Sequence, residues 1–393
     1  MLFSLSLIIL LGFTLSGVFN RFKIPGIIAM IITGIILGPY NFNLISQDIL
    51  NISPDLREIA LIIILLRAGL TLDLEDLKKV GRPALMLSFI PATLEILSIY
   101  ILAPVLFNIS NIEAAILGTV VAAVSPAVVV PRMINLIEHR YGTDKKIPQM
   151  IMAAASVDDI YVIILFTSFM GMNKGSDLNI IGFLSLPISI ILGVLLGIIT
   201  GLILVWLFKK IHMRDTIKVL IILSVSFLLV SFEDFAADFI SISGLLSVMF
   251  LGITILKTYK VLAKRLMSKF SKIWVASELL LFVLVGAAVD LSYLYYAGIF
   301  SIILVLSAVV FRIIGVNLSL IGTALNKKEK LFCSISYLPK ATVQAAIGAI
   351  PLTSGVVSGN LILSIAVLSI MITAPLGAFG IDGTYKKFLY HKK

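Results

Sequence analysis

Apolar runs of about twenty residues, the length that crosses a hydrocarbon core of ~30 Å, recur along the chain and are separated by short polar stretches. We read thirteen spans, at approximately 2–18, 25–42, 57–72, 84–107, 112–134, 147–172, 179–208, 215–232, 235–256, 273–290, 293–322, 331–352 and 360–380. The pattern predicts an all-α polytopic membrane protein. The first run, MLFSLSLIILLGFTLSGVF, has no basic region before it and no small-residue cleavage site after it, so a retained helix is expected.

The polar interruptions give the orientation. All but five of the 31 Lys and Arg residues lie in the tail or in the loops that follow odd-numbered spans and the immediate flanks of those loops. The exceptions are Arg57 and Lys174 on the other side and Arg67, Arg312 and Lys340 inside spans. By the positive-inside rule the N-terminus is outside, the C-terminus is cytoplasmic, and the protein is expected in the cell (plasma) membrane. An odd number of spans lets spans 1–6 and 8–13 form two inverted six-helix repeats about span 7, a plan of secondary transporters whose substrate site lies where broken helices meet near the midplane. The longest loop, KTYKVLAKRLMSKFSKIW, reads as a basic amphipathic stretch on the cytoplasmic face, in contact with anionic lipid.

Composition changes this picture little. Hydrophobic residues make up 60% of the 393 and charged residues 13%. The net charge of +10 reports topology, so no nucleic-acid partner is expected. A single cysteine, Cys333, can form no intrachain disulfide, and no zinc-site spacing is present.

Charges at mid-depth carry the candidate chemistry. In AAASVDDIYVIILF, Asp158 lies roughly 15 Å along its helix from Pro148, about half the bilayer. Its neighbour Asp159 points about 100° away, so one acid can face a cavity while the other faces a helix. Hydrogen bonding between helices is the plain alternative, but a Ser or Asn would do that at lower cost, and two acids together call for a cation. Span 5 contains AAVSPAVVVP, where Pro126 and Pro131 should break the helix and free the carbonyls of Ala122 and Ala127. Span 12 contains SYLPKATVQAAIG, where Pro339 should free that of Ile335. Matched breaks at mid-depth are tolerated where they line a water-filled cavity. Glu95 and Arg312, in corresponding spans 4 and 11, are expected to pair. Lys340 is expected either to neutralise the carbonyl ends of the broken helices or to pair with Asp158. Arg67 is expected to snorkel toward Asp73 or water, and Asp234 and Asp238 lie toward the outer face.

AAVSPAVVVPRM, SVDDIYVIILF and YLPKATVQAAIG, in that order, resemble the monovalent cation:proton antiporter superfamily. The likeness is greatest to its sodium/proton exchangers with paired aspartates, including the branch with animal mitochondrial-type homologues. The resemblance covers nearly the whole chain. It implies a dimerisation domain at 1–83 (spans 1–3) and 215–292 (spans 8–10) and a linker helix at 173–214. The core transport domain would comprise 84–172 (spans 4–6) and 293–393 (spans 11–13 and a short cytoplasmic tail). It further implies that Asp159 binds sodium or lithium in competition with protons, that Asp158 supports it, and that the protein is a homodimer working by an elevator-like movement. Arg312 stands where several electrogenic relatives have lysine, and Ser125, a possible cation contact, stands where some carry an acid. The expected function is antiport of sodium or lithium against protons, with no cofactor and no enzymatic reaction. The alternatives are a sodium-coupled organic-anion symporter and a potassium/proton efflux antiporter. An aspartyl protease would need its two acids on different helices, and a channel would need a continuous polar stripe.

Overall fold

The computed structural model describes residues 1–71, 81–174, 180–236 and 242–391. These form seventeen helices: α1 (Leu2–Arg21), α2 (Gly26–Leu37), α3 (Gln47–Asn51), α4 (Ser53–Thr71), α5 (Arg82–Phe107), α6 (Asn111–Ala122), α7 (Pro126–Glu138), α8 (Ile147–Lys174), α9 (Ile180–Lys210), α10 (Asp215–Ala236), α11 (Gly244–Thr258), α12 (Lys260–Ala287), α13 (Leu291–Ser319), α14 (Lys327–Ser336), α15 (Thr342–Gly348), α16 (Ile350–Thr353) and α17 (Gly359–Phe388). Among the described residues the only β pairing is an isolated bridge between Tyr141 and His391. Among the described residues, nine helices or helix pairs are long and apolar enough to cross a bilayer. They correspond to expected spans 1, 4–8, 10, 11 and 13; the other four fall on the short apolar helices α2 and α11, on α4 with its charged residues Asp55, Arg57, Glu58 and Arg67, and on the interrupted series α14–α16.

Contacts divide the chain into two compact units, one of residues 1–54, 75–166 and 279–393, the other of 55–74 and 167–278. In the first unit α5 and α13 pack closely. A Cβ on Gly315 of α13 would lie 2.6 Å from the Pro91 Cα of α5, so only glycine permits the approach. Beside the site, Leu87, Met133, Ile151 and Phe332 are part of one buried apolar cluster. In the second unit Gly193, Gly197 and Gly201 of α9, each four residues apart, meet Ser243, Ser247 and Thr254 on and just before α11. Ser247 Oγ donates to the Gly193 carbonyl at 2.9 Å, the small-residue packing that membrane helices use in place of a hydrophobic drive.

One expectation changes. The basic stretch after Lys257 is not a loop: apart from Tyr259 it is helical, and α12 runs unbroken from Lys260. Its polar residues at 260, 264, 265, 269 and 272 leave Leu262, Ala263, Leu266 and Phe270 on a buried face, a helical period that extends the span beyond its apolar part. Arg67 sits over the Trp274 ring, 5.2 Å from its centroid, a cation–π contact within the second unit. Its expected partner Asp73, like Asp238, lies outside the described residues, as does the side chain of Asp234.

Candidate functional site

Two helix interruptions meet within the first unit. Ser110 and Glu113 form a capping box that starts α6. Pro126 ends the α6 path, because it has no N–H to offer the Ala122 carbonyl and forces Ser125 into an extended conformation (φ −87°, ψ 110°). It then opens α7 at the first helical position, where a missing N–H costs nothing. On the other side, α14 starts from a capping box of Asn326 and Glu329 and stops before Pro339, and the chain resumes as α15 at Thr342. The breaks bond directly, with Ser125 N donating to the Pro339 carbonyl at 2.7 Å.

A break inside the protein strands carbonyls and amides, which then need partners. The Val124 amide donates to Asp158 Oδ2 at 2.8 Å. The Ala122 carbonyl accepts from Arg312 Nη1, and the Val121 carbonyl accepts from Lys340 Nζ at 2.7 Å. Gln344 Nε2 donates to the Ala123 carbonyl at 2.6 Å and to that of Val121 at 3.1 Å. Arg312 and Lys340 therefore place positive charge against the C-terminal, partly negative end of α6.

The same two cations hold two of the three acids. Arg312 Nη1 lies 2.6 Å from Glu95 Oε2, and Nη2 lies 3.1 Å from Asp158 Oδ2. Arg312 Nε donates to the Tyr337 carbonyl at 2.7 Å. Lys340 Nζ is 2.6 Å from Glu95 Oε1. Glu95, Asp158, Arg312 and Lys340 are all fully buried, and their two negative and two positive charges balance. Asp159 stands outside that balance. It is 8% exposed, and no hydrogen bond or ion pair engages its carboxylate among the described residues. The hydroxyls of Ser125 and Thr342, on the two interruptions, are likewise buried without a hydrogen-bond partner.

Comparison with known proteins decides the family. The description "sodium/hydrogen exchanger, transmembrane" applies to a family that matches residues 6–386. The chain belongs to the sodium/hydrogen exchanger family. It is 33% identical over 374 residues to sodium/hydrogen exchanger 9B2 of Homo sapiens, which covers 90% of this chain and 68% of that protein. It is 35% identical over 337 residues to sodium/hydrogen exchanger 9B1 of Mus musculus, covering 83% of this chain and 59% of that one. The chain thus spans about three fifths to two thirds of the length of these relatives. The sodium proton antiporter MjNhaP1 from Methanocaldococcus jannaschii has a similar fold, with a TM-score of 0.82 over 98% of this chain and 97% of that one at 22% identity. Family and relatives support sodium/proton antiport, and neither the organic-anion symporter nor the potassium efflux reading.

Most residues singled out in the exchanger's sequence meet here, with three differences. Pro131 does not break a helix: it lies inside α7, which continues to Glu138. Five positions after Pro126 its ring removes one bond of a helix already begun, and Arg132 Nη1 adds a bond to the Val128 carbonyl at 2.9 Å. Lys340 meets the first of its two expected roles, at the Val121 carbonyl, but its acid partner is Glu95 and not Asp158, because the two-pronged guanidinium of Arg312 reaches both acids and leaves the ammonium the far side of Glu95. The carbonyl of Ile335 is not left open at the Pro339 break, since Leu338 N donates to it at 3.2 Å. Gln344 was missed entirely. A neutral amide in an apolar helix five residues after a proline gives one sequence signal, the need to satisfy the opened backbone.

Proposed function

We propose that Asp159 is the exchange site, where a sodium or lithium ion and a proton compete for one carboxylate, and that Asp158 is the fixed neighbour that shapes it. One observation carries the assignment: Glu95, Asp158, Arg312 and Lys340 balance one another, and Asp159 alone among these charges has no partner among the described residues. A buried carboxylate without a counter-ion takes up a cation or a proton, and a site that takes either, but not both, is an exchanger. Ser125, next to the Val124 amide that binds Asp158, supplies a further oxygen for the cation.

The larger frame rests on the sequence pattern and the family. We infer thirteen spans in two inverted repeats with an external N-terminus and a cytoplasmic C-terminus in the plasma membrane. The working form is a homodimer in which residues 84–172 and 293–393 move as the transport domain against 1–83 and 215–292, with 173–214 as the link. This partition cuts the chain differently from the two compact units, which keep residues 1–54 with the site-bearing helices.

The test is purified protein in liposomes with an internal pH dye, challenged in turn with sodium, lithium and potassium. Sodium and lithium, more than potassium, should collapse an imposed pH gradient, and Asp159→Asn should abolish the effect. Exchange that survives Asp159→Asn at the wild-type rate removes Asp159 from the site.

A further inference from the structure

The donors at the α6 interruption are of two kinds. Arg312 and Lys340 are cations held by acids, whereas Gln344 is neutral and fully buried. Gln344 also bonds both interruptions. Its Oε1 accepts from the Ala341 amide at 2.9 Å at the start of α15, and its Nε2 reaches the Ala123 and Val121 carbonyls of the other break. The Ala123 carbonyl has Gln344 as its side-chain donor, whereas the Val121 carbonyl has both Gln344 and Lys340. The segment held in this way, Ala123–Val124–Ser125, offers its next amide to Asp158 and its next hydroxyl to the candidate site.

We propose that Gln344 is a positioning residue for the cation site, the neutral clamp that fixes Ala123–Ser125 against α15 so that Asp158, Ser125 and Asp159 keep their arrangement. The proposal rests on the reading of Asp159 as the exchange site. A charged clamp here would upset the balance of two acids and two cations; an amide offers a donor and an acceptor without doing so. Lys340 and Gln344 share the Val121 carbonyl, so loss of either leaves that oxygen one donor, and loss of both orphans it. An orphaned buried carbonyl is costly, so the two residues should be strongly coupled although neither bonds the other among the described contacts.

The experiment is a double-mutant cycle on Gln344→Met and Lys340→Met in liposomes, reading the apparent KM for sodium and the maximal rate per folded molecule separately. Gln344→Met should raise the KM about tenfold and change the maximal rate less than about threefold. The double variant should raise the KM by more than the product of the two single effects. A residue that only packs would lower the amount of folded protein and leave the KM of the remainder native; that result, or single effects that simply multiply, overturns the proposal. Gln344→Asn stays neutral but is one methylene too short to hold both breaks, and serves if the Met variant does not fold, with a rise in KM again expected. If the wild-type protein fails to exchange sodium at all, the reading of Asp159 falls, and the clamp is judged from melting temperatures in detergent without cation. There a loss in the double variant larger than the sum of the single losses supports it, and additive losses overturn it.

Discussion

Asp158 and Asp159 are adjacent in the chain and meet opposite circumstances, since one is held by Arg312 and the Val124 amide and the other by nothing described. The divergence follows from the turn of about 100° per helical residue, and it underlies the different task proposed for each acid. Glu95 and Arg312 were legible as a pair because each was a lone charge at matching depth. Their geometry, however, is a network. Removing Arg312 leaves Asp158 uncompensated and two backbone carbonyls without their donor, so Arg312→Met should cost roughly 3–5 kcal/mol. Exchanging the charges, Glu95→Arg with Arg312→Glu, would set the new glutamate beside Asp158 and those carbonyls and the new arginine beside Lys340. The swap should therefore melt in detergent no higher than the worse single variant. A double variant that recovers most of the wild-type melting temperature would show that the pair acts alone. Gln344 and the true partner of Lys340 could not be read from sequence, because both depend on which carbonyls the meeting of the two interruptions brings within reach.

Among the elements, proline marks an interruption only where the chain is free to change direction. Pro126 and Pro339 both fall at breaks, yet Pro131, five residues into α7, stays helical. Sequence alone weighs all three alike, since each removes one hydrogen bond. The extent of α12 was hidden for a related reason: hydropathy ends where the basic residues begin, while the helical period carries on. Contact between α5 and α13 is set by Gly315, whose hydrogen faces the backbone at Pro91. These two helices carry Glu95 and Arg312, so their separation fixes the ion pair. In Gly315→Ala the new Cβ would stand 2.6 Å from the Pro91 Cα, and backbone cannot yield as a flexible side chain would. We expect a loss of about 1–3 kcal/mol from overpacking and at least a severalfold drop in exchange rate. Unchanged melting temperature and rate in Gly315→Ala would mean that α5 and α13 can part freely.

For the molecule as a whole, the question is how many protons leave when one sodium ion arrives. Membrane class and the charges that meet at the two interruptions were legible in the sequence, since lipid demands apolar length and makes every buried charge conspicuous. Stoichiometry was not, because it turns on which cation holds which acid. Arg312, fixed to Glu95 and Asp158, cannot supply a proton, since a guanidinium stays charged at every accessible pH. Lys340 is the other possible donor, as a buried ammonium can release one. Its partners, though, are Glu95 and the Val121 carbonyl, and a cation entering at Asp159 displaces neither. The charges of Glu95, Asp158, Arg312 and Lys340 already cancel, so if exchange takes place at Asp159, as proposed, only the proton on Asp159 has to move. Exchange should then be one for one and electroneutral. Protein adsorbed on a solid-supported membrane and given a sodium jump should produce no sustained current while it still dissipates a pH gradient in liposomes. A sustained, potential-sensitive sodium/proton current would refute electroneutrality. If Lys340→Arg then removed the current and spared the pH response, Lys340 would be the second proton carrier, released in spite of its tie to Glu95.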